Sequence, residues 1–133
     1  MRTETLTFLN DVHQQFFYDT IKQHHIDLND SYRVALFYVL GLHELTRSHI
    51  RDIYDFELDQ INPECLAAPF QTSSSVALIQ FAYVLYNDFE IAIENGCSYS
   101  HYPSMLQMFA PIDRHLFKYL HQAVDLRFEL LHA

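Results

Sequence analysis

The fold is decided by the stretch VALFYVLGL at residues 34–42 and by a second one, VALIQFAYVLY, at residues 76–86. Both stretches are apolar around almost the whole circumference of a helix, instead of along one stripe. A helix of that kind must be enclosed by other helices. The two stretches therefore predict the paired central helices of a small all-α domain.

Two helices are predicted before residue 49. Asn10 is a good N-cap for the first, which ends near His25 and has an apolar face formed by Val12, Phe16, Phe17, Thr20 and Ile21. Ser31 is expected to cap the first central helix, which continues to about Ser48. Gly41 falls inside that helix, where glycine costs about 1 kcal/mol relative to alanine, so we expect another helix to pass close to it.

The rest of the chain is also predicted to be helical. Further helical segments are expected at Ile50 to Phe56, Asn62 to Glu64, Gln71 to Asn95, Met105 to Phe109 and Asp113 to Leu131. Gly96 would end the long helix, and a loop would follow from Cys97 to Pro103. No segment shows the alternation of a strand bounded by hairpin turns. The prediction is an all-α domain over residues 1–133, a single compact bundle of five to six helices with two enclosed central helices.

The chain is acidic, with 17 Asp and Glu against 8 Lys and Arg and a formal net charge of −9. Lys and Arg form no cluster, which argues against direct binding of nucleic-acid phosphates, whereas a basic protein partner fits the charge. The N-terminal residues lack the pattern of a signal peptide, and no apolar run approaches the ~20 residues that span a bilayer. We therefore expect a cytoplasmic protein with no membrane contact.

Residues that could carry catalysis are present but not arranged in a known pattern. Cys65 and Cys97 are far apart and have no neighbouring cysteine, so both are expected to be reduced thiols. The serines at residues 73–75 lie in no G-x-S-x-G turn, and two glycines in the whole chain exclude a glycine-rich phosphate loop. The sequence thus favours a protein without a cofactor and leans against an enzyme.

Histidine and carboxylate pairs suggest a metal site as one hypothesis. His43 and Glu44 are followed by His49, but the two histidines are six residues apart instead of the four of H-E-x-x-H. His121 and Asp125 begin a second set on the last helix, continued at Glu129 and His132, which would share one side. Ordinary surface ion pairs are the simpler interpretation of the second set.

A small anion pocket is a further hypothesis. Unsatisfied N–H groups and the positive end of the macrodipole at a helix start attract anions, and hydroxyl groups add donors. If the polar end of the first central helix folded beside the start of the second, five residues would surround a carboxylate or phosphate: Arg47, Gln71, Thr72, Ser73 and Ser75. Ordinary helix capping by Ser and Thr is the simpler interpretation of the last four.

Three parts of the chain carry recognisable motifs: FLN at residues 8–10 with His13 and Phe16, the region 32–56 with Y-x-L-G at residues 38–41 and Thr46-Arg47, and QTS at residues 71–73 leading to A-x-x-L-Y-N at residues 82–87. In these motifs the chain resembles a family of small uncharacterised proteins from Firmicutes bacteria and their phages or mobile elements. The sequence departs from the family pattern at Phe70, where a tryptophan is expected. The resemblance implies a helical fold and a bacterial or phage source, but no activity.

The abundance of aromatic residues favours an interaction protein. Nine Tyr and eleven Phe exceed what one face of each outer helix can hide, and Tyr is common at interfaces. We therefore predict a non-enzymatic protein that binds a protein partner or itself, the latter as a homodimer. A small-molecule or anion-binding domain or enzyme, centred on Arg47 and residues 71–75, is the alternative, and the histidine-containing metal site is the third.

Overall fold

In the computed structural model, which describes residues 5–87 and 104–133, α-helices dominate. The helices of these ranges are α1 (Asp11–Gln23), α2 (Ser31–Leu40), α3 (Glu44–Ser48), α4 (Ile50–Ile53), α5 (Ser73–Asn87), α6 (Met105–Phe109) and α7 (Phe117–Arg127). Two 3₁₀ turns, Pro63–Ala67 and Arg114–Leu116, and a hairpin of two strands, β1 (Tyr54–Asp55) and β2 (Gln60–Ile61), connect them. The predicted end of the long helix at Asn95, Gly96 and the loop at residues 97–103 lie outside the described residues.

The core is formed around α2, which packs against α5 and α7. Every residue from Val34 to Leu40 is no more than 2% exposed, on all sides of the helix. In α5, residues 77–79 and 81–83 are buried. The first central stretch is therefore enclosed on all sides as predicted, whereas five residues of the second, 76, 80 and 84–86, are only half-buried.

The helix α1 crosses close to the end of α2. As predicted, Asn10 is the N-cap of α1, and its Oδ1 accepts a hydrogen bond of 2.9 Å from the backbone N–H of His13. A Cβ atom at Gly41 would lie 2.8 Å from His13 Cδ2 and 2.9 Å from Phe16 Cδ1. The expected close approach at Gly41 is thus confirmed, although this glycine is the C-cap of α2 and not an interior position.

The boundaries of the first central helix were predicted wrongly. Asp30, not Ser31, is its N-cap, and the Asp30 side chain accepts from the N–H of Arg33 at 3.2 Å. The helix ends at Leu40 and does not continue to Ser48, because the chain turns after Gly41 and a separate short helix, α3, begins. This break was invisible in the hydrophobic pattern, since the apolar run continues through it.

The hairpin contradicts the expectation of no strands. Where a helix was predicted to reach Phe56, α4 ends at Ile53 and Tyr54 pairs with Ile61 in an antiparallel ladder. The Asp55 carboxylate accepts the N–H groups of the next turn residues at 3.0 Å and so favours chain reversal over helix. Strands of two residues are too short to show alternation in a sequence.

The last helix is shorter than predicted. A 3₁₀ turn precedes α7, which ends at Arg127, and Glu129 has a φ of +61°, outside the helical region. Leu120 and Leu131 are buried as expected, but Phe117 and Phe128 are 40% and 68% exposed. The chain therefore leaves the helix before the predicted apolar face is complete.

Candidate functional site

The residues of the predicted anion pocket bind mainly to each other and to the backbone. The Thr72 Oγ1 accepts the N–H of Ser75 at 3.2 Å, and the Thr72 N–H donates to Ser75 Oγ at 2.8 Å, a reciprocal cap at the start of α5. The Gln71 Nε2 donates to the carbonyl of Cys65 at 2.9 Å, and Ser73 is exposed. The interpretation as helix capping accounts for all these contacts.

Arg47 also binds backbone. Its Nη1 donates to the carbonyl of Gly41 at 2.8 Å, which satisfies an acceptor at the end of α2. Near it, His43 is the N-cap of α3, and its Nδ1 accepts from the N–H of Leu45 at 3.0 Å. Burial, followed by the positive charge of Arg47, lowers the pKa of His43. The anion pocket stays a prediction, with Arg47 tying the α2–α3 connection together.

The predicted metal ligands are also spread over separate parts of the fold. His43 caps α3 and Glu44 is exposed at its first turn, while His121 and Asp125 lie one turn apart on α7. Glu129 and His132 lie beyond the end of α7 and do not continue its face, so the predicted four-residue stripe is wrong. In the described part of the chain, no group of three or more His, Cys, Asp or Glu side chains is arranged to hold a metal ion.

Cys65 is a free thiol in the core, as expected. Its Sγ lies 3.3 Å from the hydroxyl of Tyr83, which also donates to the carbonyl of Ile53 at 2.6 Å. Burial raises the pKa of the Cys65 thiol, so the reactive thiolate is disfavoured. This cysteine is therefore placed as a packing residue and not as a nucleophile.

Charged side chains converge instead on a cleft of about 450 Å³ at the C-terminal end of α1. We call it the acidic cleft; the charged and titratable residues in its wall are His24, His25, Asp27, Asp30, Arg33 and Asp59. The three carboxylates and the single guanidinium give a net charge of −2 when the imidazoles are neutral. The His24 ring stacks on Phe56 with ring centroids 3.7 Å apart, which adds a flat apolar surface.

Arg33 holds the acidic cleft together. Its Nη1 donates to the Asp30 carboxylate at 2.5 Å, and its Nε and Nη2 donate to the carboxylate of Asp59 in a bidentate pair. The Tyr54 hydroxyl donates to the same carboxylate at 2.6 Å. The hydrogen bond from Tyr54 lowers the pKa of Asp59, and the charge of Arg33 adds to this effect. The N-terminus of α2 is thereby fixed to the hairpin.

Large apolar side chains are exposed beside the acidic cleft. Leu28 is 46% and Tyr32 50% exposed, next to cleft residues in the sequence; Phe128 is 68% and Leu130 49% exposed. The two segments meet, because the Arg127 guanidinium lies 3.8 Å from the Tyr32 ring centroid and Leu28 shares a small cavity with Leu131. We call these four exposed side chains the apolar patch.

The acidic cleft left no pattern that was recognised in the sequence, and His13 was named only as a motif residue of the family resemblance, without a structural role. The Asp30–Arg33 pair has the i, i+3 spacing of a helical ion pair and could have been recognised. Asp59, in contrast, joins Arg33 from 26 residues away through the hairpin, which left no pattern in the sequence. His13 occupies a position that helical spacing places near Phe17 on the buried face.

Comparisons with known proteins identify a family but no activity. The model of a family described as "Family of unknown function (DUF6075)" matches residues 3–131. No curated protein and no solved structure matches the chain. None of the helices in residues 5–87 and 104–133 has both the length and the apolar character required to cross a membrane. The family match confirms the predicted resemblance to a domain of unknown function. This chain belongs to the DUF6075 family.

Proposed function

We propose that this protein is a non-enzymatic interaction protein that binds a partner protein on the surface formed by the apolar patch and the acidic cleft. The single observation that carries the proposal is their adjacency: residues 27–33 contribute alternately to both. The partner segment would pack apolar side chains on the apolar patch, chiefly on Phe128, and present Lys or Arg to the carboxylates of the acidic cleft. The resemblance to Firmicutes and phage proteins supports a bacterial or phage source, with the cytoplasm as the place of action.

The apolar patch supports a protein partner. Exposed apolar side chains that cluster, with polar residues around them, are typical of interaction sites, whereas scattered ones are not informative. Phe128 and Tyr32 are aromatic, and aromatic side chains bury a large area at low entropic cost in interfaces. Phe128 is therefore the residue whose truncation should weaken binding most.

The charge of the surface supports a basic partner over a second copy of the chain. The chain carries −9 overall, and the acidic cleft keeps a negative charge even with Arg33 in its wall. A second copy would bring its own negative surface to this site, which is unfavourable, while a basic segment is attracted and steered. The stacked rings of His24 and Phe56 offer a surface for the stem of a Lys or Arg side chain.

The test uses three short labelled peptides that contain leucine at the same positions. The remaining positions are Lys and Arg in the basic peptide, Ser in the neutral peptide and Glu in the acidic peptide. Fluorescence anisotropy should show the tightest binding for the basic peptide and weaker binding at higher salt. Phe128→Ser should weaken that binding about tenfold, the effect of one well-buried anchor. Asp27→Asn, which keeps the oxygen that accepts the Asn29 N–H at 2.8 Å, should weaken it by a smaller factor.

Two substitutions at the far end of α1 are matched controls. Val12→Ser removes an apolar side chain that is 55% exposed, and Asp11→Asn removes one negative charge. Both lie about 20 Å from the acidic cleft, the length of this helix of 13 residues. Equal affinity for the basic and acidic peptides, or equal weakening by the controls and by Phe128→Ser, would contradict the proposal.

Self-association through the same apolar patch is the second candidate function. The number of exposed apolar side chains favours it, while the net charge opposes it. Light scattering over a range of protein concentrations distinguishes the two. A dimer mass that returns to the monomer mass in Phe128→Ser would support a homodimer, and a constant monomer mass would exclude it.

A further inference from the structure

The segment Thr5–Leu9 lies across the core as a strap before α1 begins. Tyr38 of α2 donates its hydroxyl to the carbonyl of Thr7 at 2.7 Å, and Gln122 of α7 accepts the Thr7 N–H at 3.0 Å. Thr5 forms an isolated parallel bridge with His132. Leu6, within the strap, buries its side chain in the core. The strap is therefore held by a few specific bonds and not by a helix or a sheet.

A buried histidine closes the strap. His13 is 0% exposed, and its Nε2 lies 2.8 Å from the carbonyl oxygen of Tyr38. Because a carbonyl can only accept, Nε2 carries the proton, and Nδ1 is left with a free lone pair. The backbone N–H of Leu9 donates to that lone pair at 3.1 Å. The strap thus depends on one tautomer of neutral His13.

We propose that His13 is an acid-operated latch: when its Nδ1 is protonated, the strap Thr5–Leu9 opens while the rest of the fold stays closed. Once protonated, Nδ1 would itself be an N–H donor and would point at the N–H donor of Leu9. Two donors would then face each other in a buried site, with no acceptor between them. The local solution is to release the strap, because its N–H groups can then bind water. Local opening of this kind needs less free energy than global unfolding.

The surroundings of His13 oppose its protonation as long as the strap is closed. Tyr38 of α2 and Tyr119 of α7 are the titratable groups whose rings face it, and burial raises the pKa of Tyr38. The charged group that acts on it is Arg47 of α3. Burial is the main cause that lowers the pKa of His13 to about 4; the bond to the Tyr38 carbonyl opposes this shift, and Arg47 adds to it.

The direction and size of the effect follow from this shift. The pKa of His13 is lower when the strap is closed than when it is open, so neutral His13 favours the closed strap. This preference is complete above pH 6.5, the ordinary pKa of histidine, and is lost as the pH falls toward about 4. Within that window the ratio of open to closed strap should rise by up to about tenfold per pH unit, and the total rise from well above pH 6.5 to well below pH 4 should be about 300-fold. Opening uncovers the Phe8 ring and the aromatic surface of Phe17 and Tyr38 beneath it.

Amide hydrogen exchange of the full-length protein tests the latch. Protection factors, corrected for the intrinsic exchange rate at each pH, are measured by mass spectrometry for a peptide covering the strap and for one covering α5. From neutral pH to about pH 4, protection of the strap should fall about 100-fold in all, by up to about tenfold per unit, while that of α5 changes little. The proposal would be overturned if protection fell together in both segments, or if the protection of the strap did not change with pH.

Three variants assign the effect to His13. His13→Gln keeps an N–H donor for the Tyr38 carbonyl but does not titrate, so the pH dependence of the strap should vanish. Tyr38→Phe removes only the bond to Thr7, so the strap should open more at every pH with the same slope. His43→Asn, at a histidine that caps α3, should leave the slope unchanged. If the protection of the strap still depends on pH with the same slope in His13→Gln, the latch is refuted, even if that variant is less stable.

Discussion

Replacing Gly41 by alanine should destabilise the protein, because α1 crosses α2 too closely at this point for a Cβ atom. The added carbon would lie 2.8 Å from Cδ2 of His13 and 2.9 Å from Cδ1 of Phe16. Real Cβ atoms essentially never come within 3.0 Å of other heavy atoms, so at least one ring must move. Which ring can move decides the magnitude.

The two rings differ in their freedom. His13 is held at both nitrogens, by the Leu9 N–H and the Tyr38 carbonyl, so a shift of its ring would break hydrogen bonds in a buried site. Phe16 is half-buried and can rotate outward. Overpacking typically costs 1–3 kcal/mol. The φ of Gly41 is −76°, so alanine adds no backbone strain and recovers roughly 0.4–1 kcal/mol from the unfolded state. The net loss should be about 1–2 kcal/mol.

Urea denaturation at neutral pH measures this difference as a lower midpoint with an unchanged m-value. Phe16→Ala alone and the double variant with Gly41→Ala complete a double-mutant cycle. Because Phe16→Ala removes one of the two clashes, Gly41→Ala should cost less in that background, with a coupling of about 0.5–1 kcal/mol. If Gly41→Ala leaves the free energy of unfolding unchanged or raises it, or if the effects of the two substitutions are simply additive, α1 does not pack too closely on Gly41 for a Cβ atom.

Two further substitutions test the contacts that fix the hairpin and the core. Tyr83→Phe removes the hydroxyl that donates to the carbonyl of Ile53 in the fully buried core, and should lower the free energy of unfolding by about 1–2 kcal/mol in thermal or urea denaturation. Asp59→Asn leaves the guanidinium of Arg33 with one carboxylate fewer and weakens the bond from Tyr54; because the site is partly exposed, the loss should be about 1 kcal/mol and should shrink at high salt. A salt-independent loss for Asp59→Asn would contradict its electrostatic origin.

The elements that the sequence predicted well are those defined by local information. The start of α1 at Asn10 and the α6 helix at Met105–Phe109 were both predicted at their observed positions. The burial of residues 34–40 followed from an apolar surface on all sides of a helix. In each case the signal, a cap or a hydrophobic period, lies within a few residues of the structure that it determines.

The errors occurred where contacts distant in sequence decide the structure. The α2 helix stops at Leu40 although its apolar run continues, because α1 packs against Gly41 and the carbonyl there is bound by Arg47. The hairpin is fixed by Arg33, which reaches Asp59 from another element. Neither contact can be read from periodicity, so neither the end of α2 nor the acidic cleft, which Arg33 and Asp59 help to form, was predicted.

The polar residues that the sequence singled out are used largely for contacts within the chain. Short helices joined by abrupt turns leave N–H and C=O groups unpaired at every end, and each buried one must be satisfied. Arg47, His43 and the Gln71–Ser75 segment bind such backbone groups or one another. Such contacts within the chain explain these residues without a ligand. The same requirement acts on the proposed partner surface, where the Asp27 and Asp30 carboxylates accept backbone N–H groups and Arg127 Nε donates to the carbonyl of Leu85 at 2.6 Å. What distinguishes that surface is that the apolar side chains of the same segments, those of the apolar patch, remain exposed to solvent.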